Sequence, residues 1–169
     1  DAPLPRMTFA DAMNKYGSDK PDTRFDMLIE DISDWADKTD FVVFKSAIAD
    51  GGAVKAIVAK NAASTYTRKK IDKLTEFAKG IGAKGLAYVR WADEAPNCSF
   101  AKFLKDGELE ELLSNLGAEQ GDVVLIVSDK IRKALTIMGA LRLAVAKELD
   151  LIPQGKWNFL WITEMPFFE

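Results

Sequence analysis

The chain has 169 residues, 48% of them apolar and 29% charged, and a formal net charge of −3. That balance can build a core and excludes wholesale disorder, and no apolar run reaches the roughly 20 residues of a membrane span. Histidine is absent, which excludes Ser-His-Asp and Cys-His nucleophile systems and the usual zinc ligand sets. The single cysteine, Cys98, has no internal disulfide partner, which suits a reducing compartment.

In chain order, Asp1 to Pro5 lacks the basic start and apolar stretch of a signal peptide, and Pro3 and Pro5 make an extended entry. A helix is predicted over 9–16. Thr8 caps it, Asp11 sits at its positive end, Phe9, Ala12, Met13 and Tyr16 share a stripe, and Gly17 stops it. Residues 18–24 read as a polar, proline-bearing loop. Asp31 to Asp37 predicts a short acidic helix with Leu28, Ile32 and Trp35 on one face. Phe41-Val-Val-Phe44 reads as a strand by its β-branched and aromatic content. Asp50-Gly-Gly52 is a turn signal, so Val54–Val58 becomes the second arm of a hairpin.

Thr67 caps a helix to about Lys79, with Ile71, Leu74, Phe77, Ala78 and Ile81 as its buried stripe. Glycines 80, 82 and 85 end it, Leu86–Trp91 forms a third strand, and Asp93–Asn97 a turn. Lys102–Leu104 is short strand or helix start. Gly107–Leu116 is a leucine-striped helix stopped by Gly117. Asp122–Ser128 is a continuously apolar strand, hence central in its sheet. Asp129–Leu149 is the longest helix, with Ile131, Leu135, Met138, Leu141, Val145 and Leu149 at helical spacing. Asn158–Thr163 is a last strand. The middle, about 30–153, therefore predicts an α+β domain: a mixed or antiparallel sheet with helices packed on one face. The aromatic tail, Trp157 to Phe168, reads as surface meant for a partner, so a piece of a longer chain is expected.

Chemistry-bearing patterns are few. Gly80-Ile-Gly-Ala-Lys-Gly85 fits a dinucleotide fingerprint as a string, but it follows a helix and precedes a strand, the reverse of what a phosphate cradle needs. Asp93-Glu94 and Glu108 to Glu111 are acidic by type, in a turn and on a helix's polar side, and read as solvated charge. Cys98 lacks a base or basic cluster to activate it. Charge is uneven: Tyr66–Arg90 holds seven basic residues against two acidic, and Trp91–Asp122 two basic against eight acidic. Lys69 and Lys73 share a helix face with Arg68 nearby, a pattern read either as a nucleic-acid backbone contact or as a solvated helix face. The loop Tyr16-Gly-Ser-Asp-Lys-Pro-Asp-Thr-Arg24 gathers Ser18, Asp19, Lys20, Asp22 and Arg24 within seven residues, and on spacing alone it is a capped polar turn.

Arg6-Met-Thr-Phe-Ala-Asp-Ala-Met13 followed by that loop closely resembles a signature of bacterial-type aspartyl-tRNA synthetases. Lys84-Gly-Leu-Ala-Tyr88, Ala101-Lys-Phe-Leu104, Met138-Gly-Ala-Leu-Arg142 and Trp161 to Glu169 look like further stations of the same family in the same order. The tail departs from it, with Glu164-Met-Pro166 where the family shows Asp-Phe-Pro, so the role of Glu164 is unassigned. The resemblance implies three parts: catalytic-domain flanks at 1–29 and 154–169, and a GAD insertion domain at 30–153. It implies a parent that is a cytoplasmic homodimer, with no membrane attachment. That parent is a class II aspartate-tRNA ligase using ATP and Mg²⁺, with tRNA and the rest of the catalytic domain as partners. This segment carries no class II second or third motif, so it is expected to be inactive alone and to need no cofactor. Tyr16, Gly17, Ser18, Asp19, Lys20, Asp22 and Arg24 match family positions near the catalytic rim without an assigned role; Arg68, Lys69 and Lys73 are the candidate tRNA contacts. Two rival readings are a stand-alone interaction module and the GAD-containing B subunit of a tRNA-dependent amidotransferase.

Overall fold

A computed structural model describes residues 5–153 and 160–163. Two seven-residue strands form its centre: β3 (Ala53–Ala59) and β6 (Val123–Asp129). They pair antiparallel along their full length, from Ala53 opposite Asp129 to Ala59 opposite Val123. Around them stand β2 (Glu30–Asp31), β4 (Ala87–Arg90) and β5 (Asn97–Cys98), in the spatial order β2-β3-β6-β4-β5. Every pairing in this sheet is antiparallel. The α+β class and the central place of the 122–128 strand are as expected.

Helices cover both faces of the sheet, not one, which corrects the sequence expectation. On one face Ile57, Ala59, Val123, Leu125 and Val127 meet α1 (Phe9–Tyr16), α4 (Arg68–Gly80) and α6 (Ile131–Glu148). On the other, Val54, Ala56, Val89, Val124 and Ile126 meet α2 (Ser33–Lys38), α3 (Val42–Ala49) and α5 (Glu108–Leu116). The cause is visible in the strands: β3 and β6 are buried at nearly every position, so neither side can face water.

The expected strand at Phe41–Phe44, and with it the hairpin to Val54–Val58, is also corrected. Phe41 caps a helix, α3, and β3 pairs with β2 and β6 instead. Helical spacing brings Phe41, Phe44 and Ile48 onto the sheet and leaves Val42 67% exposed. The gain is an aromatic cluster: Phe41 stacks on Phe100 at 5.5 Å, Phe44 meets Phe100 edge-on at 5.1 Å, and Trp35 packs edge-on against Phe100 at 6.3 Å. Packing of this kind outweighs β propensity, which mainly measures fit to a pleated surface. Trp35 also donates its indole N–H to the Glu108 carbonyl at 2.9 Å, joining α2 to α5.

In α4 the buried stripe is Ile71, Leu74 and Ala78, whereas Phe77 and Ile81 are 42% and 44% exposed. Phe77 lies roughly a quarter turn from the centre of that stripe at about 100° per residue. Lys102–Leu104 is neither strand nor α-helix start but part of a single 3₁₀ turn, Ala101–Phe103. Outside the sheet, β1 (Arg6–Thr8) and β7 (Trp161–Thr163) pair in parallel, Arg6 opposite Trp161 and Thr8 opposite Thr163. Of the expected 158–163 strand, residue 160 is outside β7 and residues 158 and 159 lie outside the described residues, as do Glu164 and the rest of the aromatic tail. Among the described residues no helix is long and apolar enough to cross a membrane.

Candidate functional site

The loop after α1 is built from the residues upward. The Thr8 hydroxyl accepts the Asp11 N–H at 3.0 Å and opens α1. Gly17 closes it in the left-handed region, at φ 69°, its N–H on the Met13 carbonyl. Gly17 also lies hard against Gly139 of α6. A Cβ on Gly139 would sit 2.5 Å from the Gly17 carbonyl oxygen, and one on Gly17 would sit 2.2 Å from that of Leu135. Glycine is thus required at both positions, at Gly17 for its backbone as well as its space.

Beyond Gly17 the chain is pinned by short-range bonds. The Ser18 hydroxyl accepts the Lys20 N–H at 3.0 Å. Asp22 accepts the Arg24 N–H at 3.1 Å, its Nε–H at 2.9 Å and its Nη2–H at 2.7 Å. These bonds to Arg24 hold the Asp22 carboxyl below the usual carboxylate range. The Ile29 N–H returns to the Lys15 carbonyl at 2.9 Å. Asp19 and Lys20 stand exposed at the tip.

Arg142 of α6 organises the far side of this loop. It is fully buried. Its Nε donates to the Met27 carbonyl at 2.9 Å, Nη1 to that of Asp22 at 2.8 Å, and Nη2 to those of Phe25 and Asp26 at 2.8 and 3.1 Å. The guanidinium lies over the Phe25 ring at 4.0 Å and near the Tyr16 ring at 4.7 Å. Burial pushes it down to about 10, so it remains charged at neutral pH. Met27, one of the accepting residues, has a φ of 75°, a conformation costly for a side chain of its kind.

Two strings from the sequence, Tyr16–Arg24 and Met138–Arg142, are therefore in contact. Arg142 stood in the Met138–Arg142 string but was given no site role, although a signal was present: an arginine four residues after Met138 and three before Val145, inside an apolar stripe. Ala101–Leu104 does not join this site; Phe103 and Leu104 pack in the cluster on the opposite face of the sheet.

Arg68, Lys69 and Lys73 are exposed on α4, whose Thr67 cap accepts the Lys70 N–H. Among the described residues none of the three has an ion-pair partner, whereas Lys70 is paired with Glu148 and Lys79 with Glu76. Lys69, Lys73, Phe77 and Ile81 follow one another at four-residue steps, a ridge of two free cations and two exposed apolar groups. Cys98 is buried and its thiol is pushed up to about 11 by desolvation, which keeps it protonated and unreactive. Glu108 accepts the Lys105 N–H at 2.7 Å, a structural cap for α5, and Glu110 and Glu111 are solvated.

A model of the GAD domain family matches residues 44–138. The chain belongs to the GAD domain family. Similarity to longer proteins extends beyond that match on both sides. The chain is 52% identical over 167 residues to an aspartate–tRNA ligase of Staphylococcus saprophyticus. It is 52% identical over 168 residues to an aspartate–tRNA(Asp/Asn) ligase of Bacillus mycoides, and 51% over 167 to an aspartate–tRNA ligase of Bacillus licheniformis. Each alignment takes in 99% of this chain and 28% of the relative's length. The loop at 16–29 and Arg142 lie outside the GAD match but inside the stretch shared with these ligases.

Proposed function

We propose that this chain is a segment of a class II aspartate–tRNA ligase, comprising a GAD insertion domain at 30–153 and catalytic-domain flanks at 1–29 and 154–169. The observation that carries the reading is that similarity to aspartate–tRNA ligases runs through both flanks as well as the GAD match. The pairing of β1 with β7 supports it, since an inserted domain must leave its host close to where it entered. Similarity across the flanks favours the ligase over an amidotransferase subunit or a stand-alone module.

On this reading the parent is a cytoplasmic homodimer that activates aspartate with ATP and Mg²⁺ and passes it to tRNA. The rest of the catalytic domain supplies the chemistry. This segment positions and recognises. The full-length protein is expected to form aspartyl-tRNA from aspartate, ATP and tRNA, and the segment alone to form none; a full-length protein that charges no tRNA with aspartate overturns the assignment. The exposed α4 cations are assigned to the tRNA backbone. Lys69→Glu with Lys73→Glu should weaken tRNA binding and flatten its logarithmic salt slope by about 1 per lysine. Unchanged affinity and slope would remove α4 from the interface.

A further inference from the structure

We infer that Arg142 is a positioning residue for the ligase reaction: it holds the loop 18–27 in one conformation so that Asp19 and Lys20 are presented to the reacting partners. The inference rests on the reading of the chain as part of an aspartate–tRNA ligase. A guanidinium with no exposed surface is a poor choice for stability alone, since its desolvation is offset only when most of its N–H groups find good acceptors. Here four of its donor contacts go to backbone carbonyls of one six-residue stretch, Asp22 to Met27, and no carboxylate is bonded to it in that set. Carbonyl acceptors constrain the path of the backbone itself. The planar fork fits only one arrangement of them, which includes the left-handed Met27.

The Gly17–Gly139 crossing fixes the other end of the same loop on α6, so the loop is held at both ends by one helix. The exposed side chains of this loop are Asp19 and Lys20 at its tip and Asp26 beside the guanidinium, and neither Asp19 nor Lys20 shows a side-chain bond among the described residues. Both anchors, Gly139 and Arg142, lie beyond the GAD match and within the ligase-related stretch. Because α6 also packs on the central strands, displacement of the inserted domain would carry the loop with it.

The test uses the full-length ligase. Arg142→Lys keeps the charge but not the fork, Gly139→Ala wedges the loop away from α6 without touching the charge, and Lys20→Ala alters only an exposed side chain. Each is expected to lower kcat/KM for tRNA aspartylation by about 10-fold or more. Arg142→Lys combined with Lys20→Ala should lose little beyond either alone, because both act through the same presented group. Leu112→Ala, in the core of the opposite face, serves as the stability control: it lowers Tm and leaves kcat/KM within about twofold.

Amide exchange over 18–29 should quicken in Arg142→Lys and Gly139→Ala and stay unchanged in Lys20→Ala. The inference is overturned by wild-type kcat/KM in Lys20→Ala, by fully additive losses in the double variant, or by an equal loss in Leu112→Ala. If Arg142→Lys does not fold, Gly139→Ala and Lys20→Ala decide. An unmodified full-length protein that fails to aspartylate tRNA sinks the functional reading itself, whereas an active one with indifferent variants sinks only the role of Arg142.

Discussion

The two faces of the central sheet are buried by different physics. The face under α2, α3 and α5 is closed by rings and aliphatic chains, with Phe44 and Phe100 each 1% exposed and Trp35 beside them. The face under α1, α4 and α6 is aliphatic near the sheet, but at its outer margin it swallows a charged guanidinium and the backbone that guanidinium binds. Ring packing has preferred geometries but is less directional than a hydrogen bond. A fork on carbonyls is directional and specifies one loop conformation. The first face thus supplies stability for the whole domain, and the second supplies definition for one segment.

Truncating the aromatic centre is the severest way to test that contrast. Phe44→Ala should lower the unfolding free energy by about 3–5 kcal/mol, read as a lower urea midpoint with all probes moving together. Arg142→Met should cost on the order of 3 kcal/mol, because carbonyls that lose their donor stay partly buried. Its signature is uneven: amide exchange over 18–29 rises far more than in β3 and β6. Uniform loosening in Arg142→Met would break the comparison, since it would make the guanidinium part of the general core.

A smaller effect tests the local parts. Thr67→Ala removes the cap of α4 and should cost about 1 kcal/mol by thermal or urea unfolding. Lys69→Ala, at an exposed position with no ion-pair partner among the described residues, should stay within about 0.5 kcal/mol by the same measurement. Acid supplies the mildest perturbation. Asp22 has its pKa lowered by bonding to Arg24, so the folded state binds this proton less readily than the unfolded chain does. Its contribution is therefore fully present above the ordinary carboxylate pKa of about 3.9 and fades as pH falls through the lower folded value. Asp22→Asn should flatten the stability–pH curve below about pH 4. A curve parallel to the unaltered protein's would mean that the pair contributes nothing to folding.

Much of the domain was legible because its local signals agree with its packing. Thr8 and Thr67 cap helices where expected, Gly17 and Gly117 end them in the left-handed region, and Val123–Val127 is the central strand its unbroken apolar run implied. Phe41–Phe44 misled because β-branched content speaks for a strand, while the deciding contacts come from Trp35 and Phe100, one nearby and one far along the chain. Phe77 misled because a stripe drawn from hydrophobicity alone was wider than the face α4 actually buries. At the candidate site the strings at 16–24 and 138–142 were each visible, but nothing local connects them.

By itself the sequence settled the kind of domain, most of its helix ends, its central strand and the family strings it carries. These follow from short-range rules: capping, left-handed glycine and the periodicity of apolar residues. Only the tertiary structure decided that helices cover both faces, that Phe41–Phe44 turns into a helix, and that Arg142 meets the loop. Those outcomes depend on partners more than a hundred residues apart for Arg142 and Asp22, where the energy of a contact is set by what the fold brings near and not by what stands next in the chain.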